Sequence, residues 1–174
     1  MKEDTIVVEN EDQLHQIIGS KWKYIEIEDV SLSKPIMIEQ DFINLSGKII
    51  INSDINAIII GSDVRYCQLQ ELVITVNPQV NYTKTLINIL DNTYYDAYIS
   101  IINCALNGNS GRGIFVGANN TLISGNLIRN FSSGNGIVCN SKFCKFMMNT
   151  VLSKEFPNTP TDDPQFRERK ENER

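Results

Sequence analysis

The side chains able to do acid–base chemistry in this chain are thinly spread. Asp63, Asp91 and Asp96 each follow an apolar stretch, and Arg65 stands two positions after Asp63. Brought together in one groove, the carboxylates would serve as general acid and base or as calcium ligands, with Arg65 as a base. Acidic residues also initiate turns, and no second acidic column reinforces the set. The four are therefore weak catalytic candidates, and no catalytic residue is assigned.

Tyrosines suggest binding rather than turnover. Tyr94, Tyr95 and Tyr98 fall in an irregular stretch with Asp91 and Asp96, and Tyr66 and Tyr82 are candidates to lie nearby. Flat rings beside polar groups are what sugar recognition uses: the ring meets a C–H face while the carboxylate or amide reaches a hydroxyl. The other reading is that tyrosines simply cover the outside of the fold. Phe115 and Val138 form a third candidate, an outward-facing patch for another chain. The four cysteines, Cys67, Cys104, Cys139 and Cys144, have irregular spacing and only His15 to help them. That is not a zinc pattern. They read as buried small hydrophobes, and neither a metal nor a cofactor is expected.

These candidates are positioned by a repeat. Ser110-Gly111-Arg112-Gly113-Ile114-Phe115-Val116 returns 23 positions later as Ser133-Gly134-Asn135-Gly136-Ile137-Val138-Cys139. Ile123 and Phe146, Asn126 and Asn149, and Ile128 and Val151 share that offset. A repeat of this length, rich in Ile, Val, Asn and Gly, marks a β-solenoid. Extending the register predicts three columns: Leu69, Ile101, Ile123 and Phe146; Leu72, Cys104, Asn126 and Asn149; Ile74, Leu106, Ile128 and Val151. It points Ile114, Val116, Ile123, Ile128, Ile137 and Val151 into one core, and it predicts an amide ladder at Asn126 and Asn149. Ahead of the repeat, Asn10-Glu11-Asp12-Gln13 has the form of a helix start. Leu14, Ile17 and Ile18 fall on one face of a helix over 11–18, which would cover the first coil.

The segment Gly113–Ile128 resembles the repeat of right-handed parallel β-helix proteins of the pectate-lyase-like superfamily, including NosD-like repeats. Its Gly113-Ile114-Phe115-Val116 and Asn120-Thr121-Leu122-Ile123-Ser124-Gly125-Asn126-Leu127-Ile128 follow the pattern with one extra residue, Leu122. The resemblance covers residues 5–152. It implies an all-β fold, a single right-handed parallel β-helix of about five coils capped by the N-terminal helix. Members of that family cleave or epimerise acidic polysaccharides or hydrolyse glycosidic bonds.

Domain organisation and function follow as expectations. Residues 1–152 form the β-helix and 153–174 a charged, proline-containing tail, whose Phe156 and Phe166 are candidates to plug the last coil. The 174-residue chain carries a net charge of −5, which argues against nucleic-acid and anionic-membrane partners. No apolar run is long enough to span a bilayer. The N-terminus does not read as a secretory signal, which points to the cytoplasm; a trimmed leader would leave an extracellular protein open. The expected role is a non-catalytic binding or scaffold module with a glycan or protein ligand. The alternatives are a small polysaccharide lyase or glycoside hydrolase, or a fragment of a larger phage-like or cell-surface assembly. Self-association is expected through the C-terminal coil or the Phe115/Val138 face.

Overall fold

A computed structural model describes residues 5–91, 96–131 and 135–153. The chain winds as a parallel β-solenoid of about six turns with one short helix, one turn more than the sequence predicts. In chain order the elements are β1 (Thr5–Val8), α1 (Glu11–Ile18), β2 (Tyr24–Leu32), β3 (Ile36–Ile38), β4 (Asn44–Ile51), β5 (Ile58–Ile60), β6 (Gln68–Val76) and β7 (Thr85–Ile89). They continue as β8 (Ser100–Ile102), β9 (Ala105–Asn107), β10 (Arg112–Val116), β11 (Leu122–Ser124), β12 (Leu127–Phe131), β13 (Ile137–Cys139), β14 (Lys145–Met147) and β15 (Thr150–Ser153). One sheet runs β1-β2-β4-β6-β8-β11-β14, with β9, β12 and β15 continuing its bent second half; the other runs β3-β5-β7-β10-β13.

Three faces arise because the strands bend where one residue breaks the two-residue alternation. In β6, Leu69 and Leu72 are both buried although three positions apart. The residue between that resets the phase is Glu71, at φ 54°. Asn103, Gly125 and Met148 adopt the same left-handed conformation on later turns. The strands β2, β4 and β6 run through this bend unbroken, whereas later turns split there into two short strands. Gly47 shows why a side chain is excluded at one such point: with φ 108°, an added Cβ would collide with the Ile27 backbone carbonyl.

The predicted columns hold. Leu69, Ile101, Ile123 and Phe146 stack in register, as do Ile74, Leu106, Ile128 and Val151. Ile114 pairs with Ile137, and Phe115 with Val138. The columns extend upward through Ile25 and Leu45 and through Val30 and Ile49. Ile114, Val116, Ile123 and Ile128 are fully buried. Ile137 is half-buried and packs against this core, whereas Val151 is 48% exposed, so the expectation of a core position fails for Val151. They belong to the last turn, and among the described residues no strand stacks beyond it.

The amide ladder is present. Asn126 Oδ1 accepts from the Cys104 amide at 2.8 Å, and Asn126 Nδ2 donates to Asn149 Oδ1 at 2.9 Å and to the Ile101 carbonyl at 3.0 Å. Asn149 Nδ2 donates in turn to the Ile123 carbonyl at 2.8 Å. At the other end α1 buries Leu14 and Ile18 against β2 and β3, with Ile17 half-buried beside them. Asn10 caps the helix by accepting from the Gln13 amide, while Gln13 Oε1 reaches back to Glu9 rather than to Asn10.

Carboxylates tie turns of adjacent coils. Glu11 accepts from the Ser33 amide and hydroxyl and from the Lys34 amide. Asp54 does the same for Thr83 and Lys84. Partial burial opposes ionisation of both groups, but these hydrogen bonds outweigh it and hold each carboxyl below its ordinary value. A depressed folded-state pKa contributes stability above the unfolded pKa and loses it as pH falls through the folded one. Melting temperatures measured between about pH 2 and 7 should therefore be flat near neutrality and fall in acid. The fall should be shallower in Asp54→Asn; an identical acid slope in that variant would show that Asp54 is not one of the linked groups.

Candidate functional site

The corner that precedes β4, β6, β8, β11 and β14 repeats one turn geometry. Phe42, Tyr66, Tyr98, Asn120 and Phe143 each stand two residues ahead of the strand and share a positive φ between 48° and 65°. The Phe42 amide donates to the Arg65 carbonyl, the Tyr66 amide to Ala97 and the Asn120 amide to Lys142. Each bond runs to the residue just before the equivalent position one turn on. The positions are thus stacked rungs of one corner, aromatic at Phe42, Tyr66, Tyr98 and Phe143.

Three successive rungs form an aromatic stack. Phe42 and Tyr66 have ring centroids 5.0 Å apart and planes 8° from parallel; Tyr66 and Tyr98 are at 5.5 Å and 12°. The rings stay in contact with solvent, at 55%, 40% and 51% exposure. Trp22 occupies the register position one turn above Phe42, half-buried, with the Lys21 ammonium 5.7 Å from its ring centre.

Arg65 stands beside the stack. Its guanidinium donates to Asp41 Oδ2 at 3.2 Å and lies 4.0 Å from Asp96, while its own amide donates to Asp41 Oδ1 at 2.8 Å. Arg65 is thus held between Asp41 and Asp96. Asp63 is exposed in a turn, and Asp91 is exposed two residues after β7. Of the sequence-derived ligand set, Tyr98 joins the corner and Asp96 its polar flank; Tyr94 and Tyr95 lie outside the described residues. Tyr82 is in the core, fully buried against Gly111, and not with the other tyrosines.

Phe42 and Asp41 are what the sequence reading misses. The signal was available in principle: Phe42, Tyr66 and Tyr98 precede Asn44, Gln68 and Ser100, which share one register. Phe115 and Val138 do face outward, in a column with Met37, Ile59 and Asn88. Both are half-buried, and the Arg112 guanidinium covers the Phe115 ring at 5.4 Å. A further depression of about 280 Å³ crosses β2, β4 and β6, lined by Tyr24, Glu26, Ser46, Gln70 and Glu71 among others.

Cys67 and Cys104 are not poised for chemistry. Burial pushes Cys67 up to about 12 and Cys104 up to about 11. Among the described residues no group of three or more His, Cys, Asp and Glu could hold a metal ion. No helix among them is long and apolar enough to cross a membrane. No protein-family model matches the chain, and no curated protein matches it in sequence.

Proposed function

We propose that this chain is a non-catalytic binding module whose ligand is a glycan. The observation that carries this reading is the exposed Phe42–Tyr66–Tyr98 stack with Arg65, Asp41 and Asp96 fixed along its flank. Apolar rings and charge-assisted hydrogen-bonding groups side by side suit a molecule with C–H faces and hydroxyl edges. A rigid solenoid holds them on successive rungs, so little ordering entropy is lost when an extended chain lies along the corner. The β-helix is further read as pectate-lyase-like with NosD-like repeats, on the strength of the Gly113–Ile128 pattern. In this reading the chain keeps a lateral surface for polysaccharide without committing carboxylates to turnover.

Affinity electrophoresis tests the proposal. Gels cast with hydroxyethylcellulose, galactomannan, laminarin or xylan should retard the protein in at least one case, and Arg65→Ala should weaken the retardation. Free mobility in all four rejects the reading. The same mixtures, and pectate and alginate, should show no new reducing ends and no unsaturated product. Turnover that disappears in Asp96→Asn or Asp91→Asn would replace the binding module with a polysaccharide-active enzyme.

A further inference from the structure

Two of the four cysteines meet in the last turn of the solenoid. Cys139 closes β13, and Cys144 stands one residue before β14. The register puts Cys139 in one column with Val116 and Ile89, and Cys144 in another with Thr121 and Ile99. Those four residues are fully buried, so both columns point into the coil. Cys139 and Cys144 pack against the same core but are only half-buried. The expectation of buried small hydrophobes therefore holds for Cys67 and Cys104 and only in part for this pair, which a small reagent can reach.

One hydroxyl joins the two sulfurs. Ser141, in the turn between the strands, holds its Oγ 3.3 Å from Cys139 Sγ and 2.9 Å from Cys144 Sγ. Backbone carbonyls complete the surroundings: that of Ser141 lies 3.7 Å from Cys139 Sγ, and those of Ala118 and Lys142 lie 3.7 Å from Cys144 Sγ. Burial above all, and the Cys139 thiol beside it, push the Cys144 thiol above its ordinary value. One turn earlier the same corner is tied without sulfur, by Thr121 Oγ1 donating to the Ala118 carbonyl at 2.9 Å. Ser141 and Cys144 are the counterparts of Ala118 and Thr121. The last turn thus sets two thiols around a hydroxyl where its neighbour has a hydroxyl on a carbonyl.

We propose that Cys139 and Cys144 are a redox-active dithiol, oxidised by a low-molecular-weight disulfide such as glutathione disulfide to an internal bond that ties β13 to β14 across the corner. The exchange runs in two displacements. A deprotonated sulfur of the pair attacks one sulfur of the external disulfide; that S–S bond breaks, a mixed disulfide forms, and the first external thiolate leaves and takes up the released proton. The second cysteine then loses its proton and attacks the protein sulfur of the mixed disulfide, expelling the second external thiol. The protein dithiol gives up two electrons and two protons, and one external disulfide becomes two thiols. A dithiol reagent reverses both steps. The site is separate from the aromatic corner and independent of the glycan reading.

Trypsin supplies the test, because Lys142 lies between the two cysteines. The full chain is equilibrated in mixtures of reduced and oxidised glutathione, quenched with acid, alkylated with iodoacetamide under denaturing conditions and digested. Oxidising mixtures should give a species that takes up two alkyl groups where the reduced chain takes up four. Its peptides 130–142 and 143–145 should appear joined in one mass that dithiothreitol separates, with Cys67 and Cys104 alkylated. Cys139→Val and Cys144→Thr copy Val116 and Thr121 of the turn before, so each should fold, and each should stop at a mixed disulfide carrying one glutathione. Four alkyl groups on the parent chain at every ratio would overturn the proposal. So would glutathione adducts on the parent chain without joined peptides, a bond found only between two chains or to Cys67 or Cys104, or a bond that forms in urea but not in the native chain.

Discussion

Asn126→Leu should cost roughly 2–4 kcal/mol of folding stability, although leucine fits the apolar surroundings better than asparagine does. The reason lies in what the amide satisfies. Asn126 is 1% exposed and Cys104 is 2% exposed. The Cys104 amide proton goes to Asn126 Oδ1, and the Ile101 carbonyl receives Asn126 Nδ2. Removing the amide strands the Cys104 N–H in a place water does not reach, at about 1–3 kcal/mol, and takes one partner each from the Ile101 carbonyl and from Asn149 Oδ1. The gain from burying a few more apolar atoms does not offset that. Since a domain's whole stability is about 5–15 kcal/mol, the shift would be plain in urea denaturation. Ser124→Ala, half-buried one position before Gly125, is the control and should move the midpoint little. A loss below about 0.5 kcal/mol for Asn126→Leu would mean that the ladder contributes register rather than stability.

What the sequence makes legible follows the regularity of the coils. Residues 99–152 keep offsets of 22 or 23, and their turns repeat the same Gly, Asn and Ser, so Ile101, Ile123 and Phe146 align without help. The upper coils lack those markers. Ile27, Gly47 and Leu72 share a register only because bulges absorb the unequal coil lengths, and no repeated residue announces it. That is why the solenoid has about six turns where about five are counted from sequence. The aromatic corner is hidden for the same reason. Tyr66 and Tyr98 are 32 positions apart across a loop, and Tyr82 between them looks equivalent but turns inward. Arg65 illustrates a different limit: its nearest acid in sequence is Asp63, yet its partners Asp41 and Asp96 come from the turns above and below. Side chains in a parallel solenoid meet one coil away, not two residues away.

Ile128→Ala and Val151→Ala should differ sharply although the two residues are neighbours in one column. Ile128 is fully buried, with Leu106 above and Val151 below. Its truncation opens a cavity that stacked coils cannot collapse, and the expected cost is roughly 2–5 kcal/mol. Val151 is 48% exposed, in company with Phe146, Met147, Met148 and Leu152 at 46–81%. Its truncation should cost under about 1 kcal/mol, because much of the side chain already faces water. The contrast also probes how the end of the solenoid is protected. Uncovered apolar residues and unpaired strand edges attract a second chain. If Val151→Ala destabilises as much as Ile128→Ala, that end is covered in solution, and the expected exposure is wrong. Ending the chain at Leu152 then identifies the cover. Loss of stability with a monomeric mass assigns it to the residues that follow, Phe156 and Phe166 among them. An unchanged dimeric mass, with a melting temperature that rises with protein concentration, assigns it to a second copy stacked on the same coil.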